Sequence, residues 1–164
     1  MKVAIIVYFT VALLSPSLNA KETHPWSMCG DVELFSELKE FEINQCDSTM
    51  CHYSSGNHIT GRVAFKSLVN SSSLTVSIKA KIMHIDLNLP GLDPDVCKSP
   101  GVHCPILDKN IVTYPISVLV PFVPFEIKSV ATIEIFDEKG ESLICMKIPI
   151  DITRSFSHKI VQKN

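Results

Sequence analysis

Apolar and polar residues alternate one for one through most of this chain, and a period of two confines it to β-strands. Ile59, Val63, Phe65 and Val69 share one face of a segment whose other face carries His58, Thr60, Arg62 and Lys66, the pattern of a half-buried strand. Asn70-Ser71-Ser72-Ser73 turns the chain. Leu74, Val76, Ile78, Ala80 and Ile82 then alternate with Thr75, Ser77, Lys79 and Lys81. After Ile82 the phase flips to Met83, Ile85, Leu87 and Leu89, which predicts a β-bulge or a bend into a second sheet. Val112, Tyr114, Ile116, Val118, Val120 and Phe122 line one face of a further strand, and Ile127, Ala131, Ile133 and Ile135 one face of the next. Asp137-Glu138-Lys139-Gly140 reads as a hairpin turn into a strand carrying Ile144, Met146, Ile148, Ile150 and Ile152. Val32, Phe35, Leu38 and Phe41 also fit a helical stripe, but Leu38 to Ile43 reads as a strand. About seven or eight short strands without a convincing helix define an all-β sandwich or barrel.

The first residues bear on where such a chain folds. Lys2, an apolar run from Val3 to Leu14, Ser15-Pro16 and then Leu18-Asn19-Ala20 have the layout of a secretory signal cut after Ala20. The run is too short to span a bilayer. The expected organisation is a signal at 1–20, one domain at 21–153 and a frayed tail at 154–164. The expected destination is extracellular, with lysosomal delivery through a glycan kept open. All six cysteines follow the signal, and an even count in an oxidising compartment predicts three disulfides. Sequence alone allows fifteen pairings. The close pairs Cys46 with Cys51 and Cys97 with Cys104 suggest themselves, which leaves Cys29 with Cys145. Asn70-Ser71-Ser72 is the only Asn-x-Ser/Thr triplet and reads as a glycan acceptor on a surface turn.

Several chemistries find no support. Fifteen basic and 17 acidic residues give a net charge of −2, which suggests no nucleic-acid partner. Cys46-x4-Cys51-His52 and His103-Cys104 set Cys beside His, but structural zinc needs paired short-spaced ligand sets, and disulfides explain these cysteines better. His24, His52, His58, His103 and His158 read as solvated. His84, at the phase flip between Met83 and Ile85, reads as a hydrogen-bonded rim residue. There is no Gly-x-Ser-x-Gly elbow. Asp86, Asp93 and Asp95 fall where carboxylates begin turns. No enzyme activity, metal or cofactor is expected.

What remains is an apolar surplus. Tyr114 to Ile127, "YPISVLVPFVPFEI", is apolar on both faces of its nominal strand and contains Pro115, Pro121 and Pro124, so it must be an edge or a broken strand. Its aromatics either fill the core or wall a cavity where the sheets splay.

Three features taken together resemble the ML (lipid-recognition) domain family, closest to its secreted sterol-transfer members. They are the six-cysteine layout with Cys46-x4-Cys51, the segment "LPGLDPDVCKSPGVHCPI" at 89–106, and "SLICMKIPI" at 142–150 after an acidic hairpin. The likeness runs from about Cys29 to Ile152. It implies an immunoglobulin-like β-sandwich of two antiparallel sheets with an internal apolar cavity. It also implies disulfides joining first cysteine to last, second to third and fourth to fifth. The ligand site it implies is lined by Ile43, Leu89, Tyr114, Val120, Phe122, Pro124 and Phe125, and Phe65 and Pro90 complete the expected set. Leu89 stands where the family carries an aromatic. The proline-rich loop at 89–106 is expected to cross the sandwich beside the cavity mouth.

The function so implied is a monomeric, non-enzymatic carrier of a sterol, fatty acid or similar apolar molecule, which it hands to a membrane or receptor protein. The alternative is an extracellular immune co-receptor or adaptor that docks a protein through its apolar edge.

Overall fold

A computed structural model of the chain describes residues 24–82, 85–89 and 91–154. The expected signal at 1–20, Met83, His84, Pro90 and the tail beyond Arg154, with His158, lie outside the described residues. The strands run β1 (Ser27–Met28), β2 (Ser36–Ile43), β3 (Cys51–Ser54), β4 (His58–Ser67), β5 (Leu74–Ile82), β6 (Ile85–Asn88), β7 (Ile111–Leu119), β8 (Ile127–Asp137) and β9 (Ser142–Thr153). One short 3-10 turn, Val96–Lys98, interrupts the long loop between β6 and β7. The architecture is all-β, as the alternation predicts.

Two sheets face each other. The larger has the order β1-β9-β8-β5-β6, antiparallel throughout, with β3 added in parallel alongside β9. The smaller, also antiparallel, has the order β2-β4-β7. Alternation explains the packing. Val112, Tyr114, Ile116 and Val118 of β7 point inward and are buried, while the residues between them are exposed. Val63 and Phe65 of β4 and Ile144, Met146 and Ile148 of β9 are buried among the same core. Pro115 sits in β7, the edge strand, where its missing N–H costs no ladder bond.

The phase flip after Ile82 is neither a bulge nor a move to the second sheet. Ile82 pairs with Ile85 and Lys81 with Asp86, so β5 and β6 form a tight antiparallel hairpin within one sheet. An antiparallel return within one sheet changes which face a continuous period-two pattern addresses, and by sequence it is indistinguishable from a bulge. The segment at 32–43 resolves as strand. It begins at Ser36, two residues before the expected start, and its register shifts between Leu38 and Glu40. The Ser36 hydroxyl donates to the Leu143 carbonyl and ties β2 to β9. The hairpin at 137–140 forms, with Asp137 Oδ1 accepting from the Lys139 and Glu141 N–H groups.

Three disulfides join Cys29 to Cys145, Cys46 to Cys51 and Cys97 to Cys104, and no cysteine is free. The first closes a separation of 116 residues, so it constrains the unfolded chain most. The loop at 89–106 departs from its expected path. Only its start reaches the cavity mouth. Beyond Leu89 it runs along β5, where Val76 N–H donates to the Pro94 carbonyl at 2.8 Å, and reaches Ser71, where Ile106 N–H donates to the Ser71 carbonyl at 2.8 Å. It buries Val96, Val102 and Ile106 and so seals the side of the sandwich.

Candidate functional site

The half of the sandwich near Asn70 and the β8–β9 hairpin is solid, and the other half is hollow. A cavity of about 260 Å³ lies between the sheets there. Ile78, Ala80 and Ile82 of β5, Ile127, Ala131 and Ile133 of β8, and Ile148, Ile150 and Ile152 of β9 supply one wall. Ile43, Ile59, Ile116 and Val118 supply the other. Ala80 and Ala131 lie opposite each other in the β5–β8 register. Two methyl groups in a wall otherwise built of isoleucines leave space that larger side chains would fill.

Hardly any polar atom faces this space. Tyr53 lines it, but its hydroxyl donates to the Asn44 carbonyl at 3.0 Å, and burial pushes its pKa up to about 12. Among the described residues the lining carries no charged side chain. Asn88, exposed on β6, brings the one amide, between Leu87 and Leu89. Such a cavity offers apolar contact inside and one neutral donor and acceptor on β6. A charged group carried inward would find no partner, a cost of several kcal/mol.

The opposite rim is the loop after β7. The strand was expected to continue to Phe122, but it stops at Leu119, because Pro121 and Pro124 cannot supply ladder N–H groups. The loop is instead fastened to the β3–β4 turn. Gly56 N–H donates to the Val120 carbonyl at 3.0 Å, and Val120 N–H to the Asn57 carbonyl at 2.9 Å. Val123 N–H donates to the hydroxyl of buried Ser55 at 3.2 Å, and that hydroxyl donates to the Thr153 carbonyl at 3.3 Å. Val120, Pro121 and Val123 thereby face the cavity.

The expected site residues divide accordingly. Ile43, Leu89 and Val120 line the cavity. Phe65 and Tyr114 do not, because the facing positions of β4 and β7 place them in the filled half of the core. The Tyr114 hydroxyl meets Ser99 of the sealing loop, and burial raises its pKa. Phe122, Pro124 and Phe125 lie outside the lining, since the broken strand turns them outward; Phe122 is 83% and Phe125 50% exposed. Pro90 lies outside the described residues. Sequence reasoning missed Tyr53, Ile59, Ala80 and Ala131 as wall residues. The alanines within isoleucine-rich strands were the available signal.

Other candidate groups are structural. Asp93 Oδ1 accepts from Asp95 N–H at 3.0 Å and Asp95 Oδ1 from Cys97 N–H at 3.0 Å, so both begin turns. Asp47 takes hydrogen bonds from the Thr49 hydroxyl, from the Met50 and Thr49 N–H groups and from His52, which hold its carboxyl well below the usual range. Among the described residues no three His, Cys, Asp or Glu side chains gather as a metal site.

The ML domain family model matches residues 23–152. The NPC intracellular cholesterol transporter 2 of Sus scrofa is 28% identical over 144 residues, covering 88% of this chain and 94% of that protein. The mite group 2 allergen Gly d 2.02 of Glycyphagus domesticus is 26% identical over 104 residues, covering 63% of this chain and 82% of the allergen. Among solved structures, a Niemann-Pick type C2 protein from the Japanese carpenter ant is similar with a TM-score of 0.68 and 22% identity, covering 78% of this chain and 98% of that one. That likeness shows a shared fold.

Proposed function

This chain belongs to the ML domain family, and from that premise we propose that it is a non-enzymatic carrier holding one sterol, fatty acid or similar apolar molecule between its sheets. The observation that carries the reading is the 260 Å³ cavity walled by aliphatic side chains from both sheets. A relative at 28% identity named as a cholesterol transporter supports it. Burial of about 500 Å² of apolar ligand surface gains roughly 12 kcal/mol gross at 25 cal/mol per Å², less the cost of ordering the ligand. Recognition is by contact alone. Ile43, Leu89 and Val120 grip the apolar body, and Asn88 meets a single polar head group.

Phe122, Phe125, Ile85 and Leu87 serve delivery. All four are at least 48% exposed, on the two segments that border the cavity. Exposed apolar side chains beside an apolar cavity suit a membrane or a receptor protein that receives the ligand. Three disulfides favour an oxidising secretory or extracellular setting.

Native mass spectrometry of freshly purified protein, followed by extraction and identification of what is bound, tests the reading. One lipid per chain is expected. A ligand-free chain that accepts no offered sterol or fatty acid, yet captures a receptor through Phe122 and Phe125, contradicts it and favours the adaptor alternative.

A further inference from the structure

A second group of exposed apolar residues stands at the solid end, away from the mouth. Leu68 is 44%, Leu107 55% and Ile111 69% exposed. Backbone hydrogen bonds hold their segments together. Ser71 and Ile106 exchange two at 2.9 and 2.8 Å, Lys109 N–H donates to the Ser67 carbonyl at 2.8 Å, and Ser67 N–H donates to the Asn110 carbonyl at 2.9 Å.

Asn70 sits at this junction. Its Oδ1 accepts from Asp108 N–H at 2.9 Å. A backbone N–H can only donate, so the atom in that contact is the amide oxygen. Nδ2, the atom an N-linked sugar joins, is directed elsewhere on an exposed side chain. Ser72, the hydroxyl residue of the triplet, is exposed, whereas Ser71 between them is buried and pinned to Ile106. The acceptor is therefore presented on an anchored turn.

We propose that Asn70 carries an N-linked glycan that covers Leu68, Leu107 and Ile111, shielding this end and leaving the cavity mouth open for exchange. A bulky hydrated glycan rooted among exposed apolar residues lowers the tendency of that surface to associate. The inference rests on passage through the secretory lumen and not on the identity of the cavity ligand.

The test is to express the full chain with its own leader in a eukaryotic secretory host and to measure intact mass before and after treatment with a glycan-removing amidase. The mass of one glycan should be lost on treatment, absent from Asn70→Gln and Ser72→Ala, and restored by Ser72→Thr. Self-association, followed by light scattering, should rise on deglycosylation, and the rise should vanish in Leu107→Ser/Ile111→Ser. Ligand uptake, read on the same samples, should not change with glycan state. A chain made without the glycan overturns the proposal, as does a glycan whose removal leaves self-association unchanged. A glycosylated chain that takes up no lipid would fail the carrier reading alone.

Discussion

Gly56 shows how much of the cavity rim depends on one atom that is missing. Its φ of +83° lies where L side chains are strained, and a Cβ there would come within 3.3 Å of the Phe122 ring. Gly56→Ala should therefore lower stability by about 1–2 kcal/mol and displace Phe122. Denaturant unfolding measures the first effect. Amide exchange at Val120, bonded to Asn57, measures the second and should quicken. Truncating the ring as well, in Gly56→Ala/Phe122→Ala, should recover only the contact part of the loss. Asp47 gives a pH-dependent counterpart. Its carboxyl is held below its usual pKa by Thr49, Met50 and His52, so the carboxylate stabilises the folded chain above the unfolded value of about 3.9. That contribution fades as pH falls toward the folded value. Wild type should exceed Asp47→Asn in unfolding midpoint at pH 7, and the gap should close in strong acid. An equal gap at every pH would sink this assignment.

At the scale of elements, the loop after β7 matters through its docking on the β3–β4 turn. The buried Ser55 hydroxyl receives the Val123 N–H, so Ser55→Ala leaves that donor without its acceptor at a cost of about 1–3 kcal/mol. The expected signature is faster exchange of the Val123 amide with weaker ligand uptake, both restored by Ser55→Thr. Strands β4, β5, β7, β8 and β9 were legible because each buries one face and the alternation records it. The rest was hidden for identifiable reasons. β3 has only four residues and owes its place to β9, a partner about a hundred positions later. The β5–β6 reversal mimics a bulge. Phe122 has a core-like identity but follows a proline that ends its strand. The void itself left only a faint trace, because a pattern reports which side chains point inward and not whether they meet. Ala80 opposite Ala131 is that trace.

The whole molecule must hold a hollow half open. At about 24 cal/mol per Å³, a cavity of 260 Å³ costs roughly 6 kcal/mol. The Cys29–Cys145 bridge, closing 116 residues, offsets about 4–5 kcal/mol of that in the chain-entropy model. Cys29→Ala/Cys145→Ala should lose about that much in denaturant unfolding, roughly twice the loss on removing either short bridge, whose cysteines lie 5 and 7 positions apart. The most direct test of the account fills the cavity from within. Ala131→Phe places a ring in the space that Ala131 and Ala80 leave, and thermal unfolding should show a chain at least as stable as wild type. Titration with a fluorescent sterol and a fluorescent fatty acid should give saturable one-to-one uptake of at least one by wild type and none by Ala131→Phe. Equal uptake by a folded Ala131→Phe chain would place the ligand outside the sandwich and contradict the account.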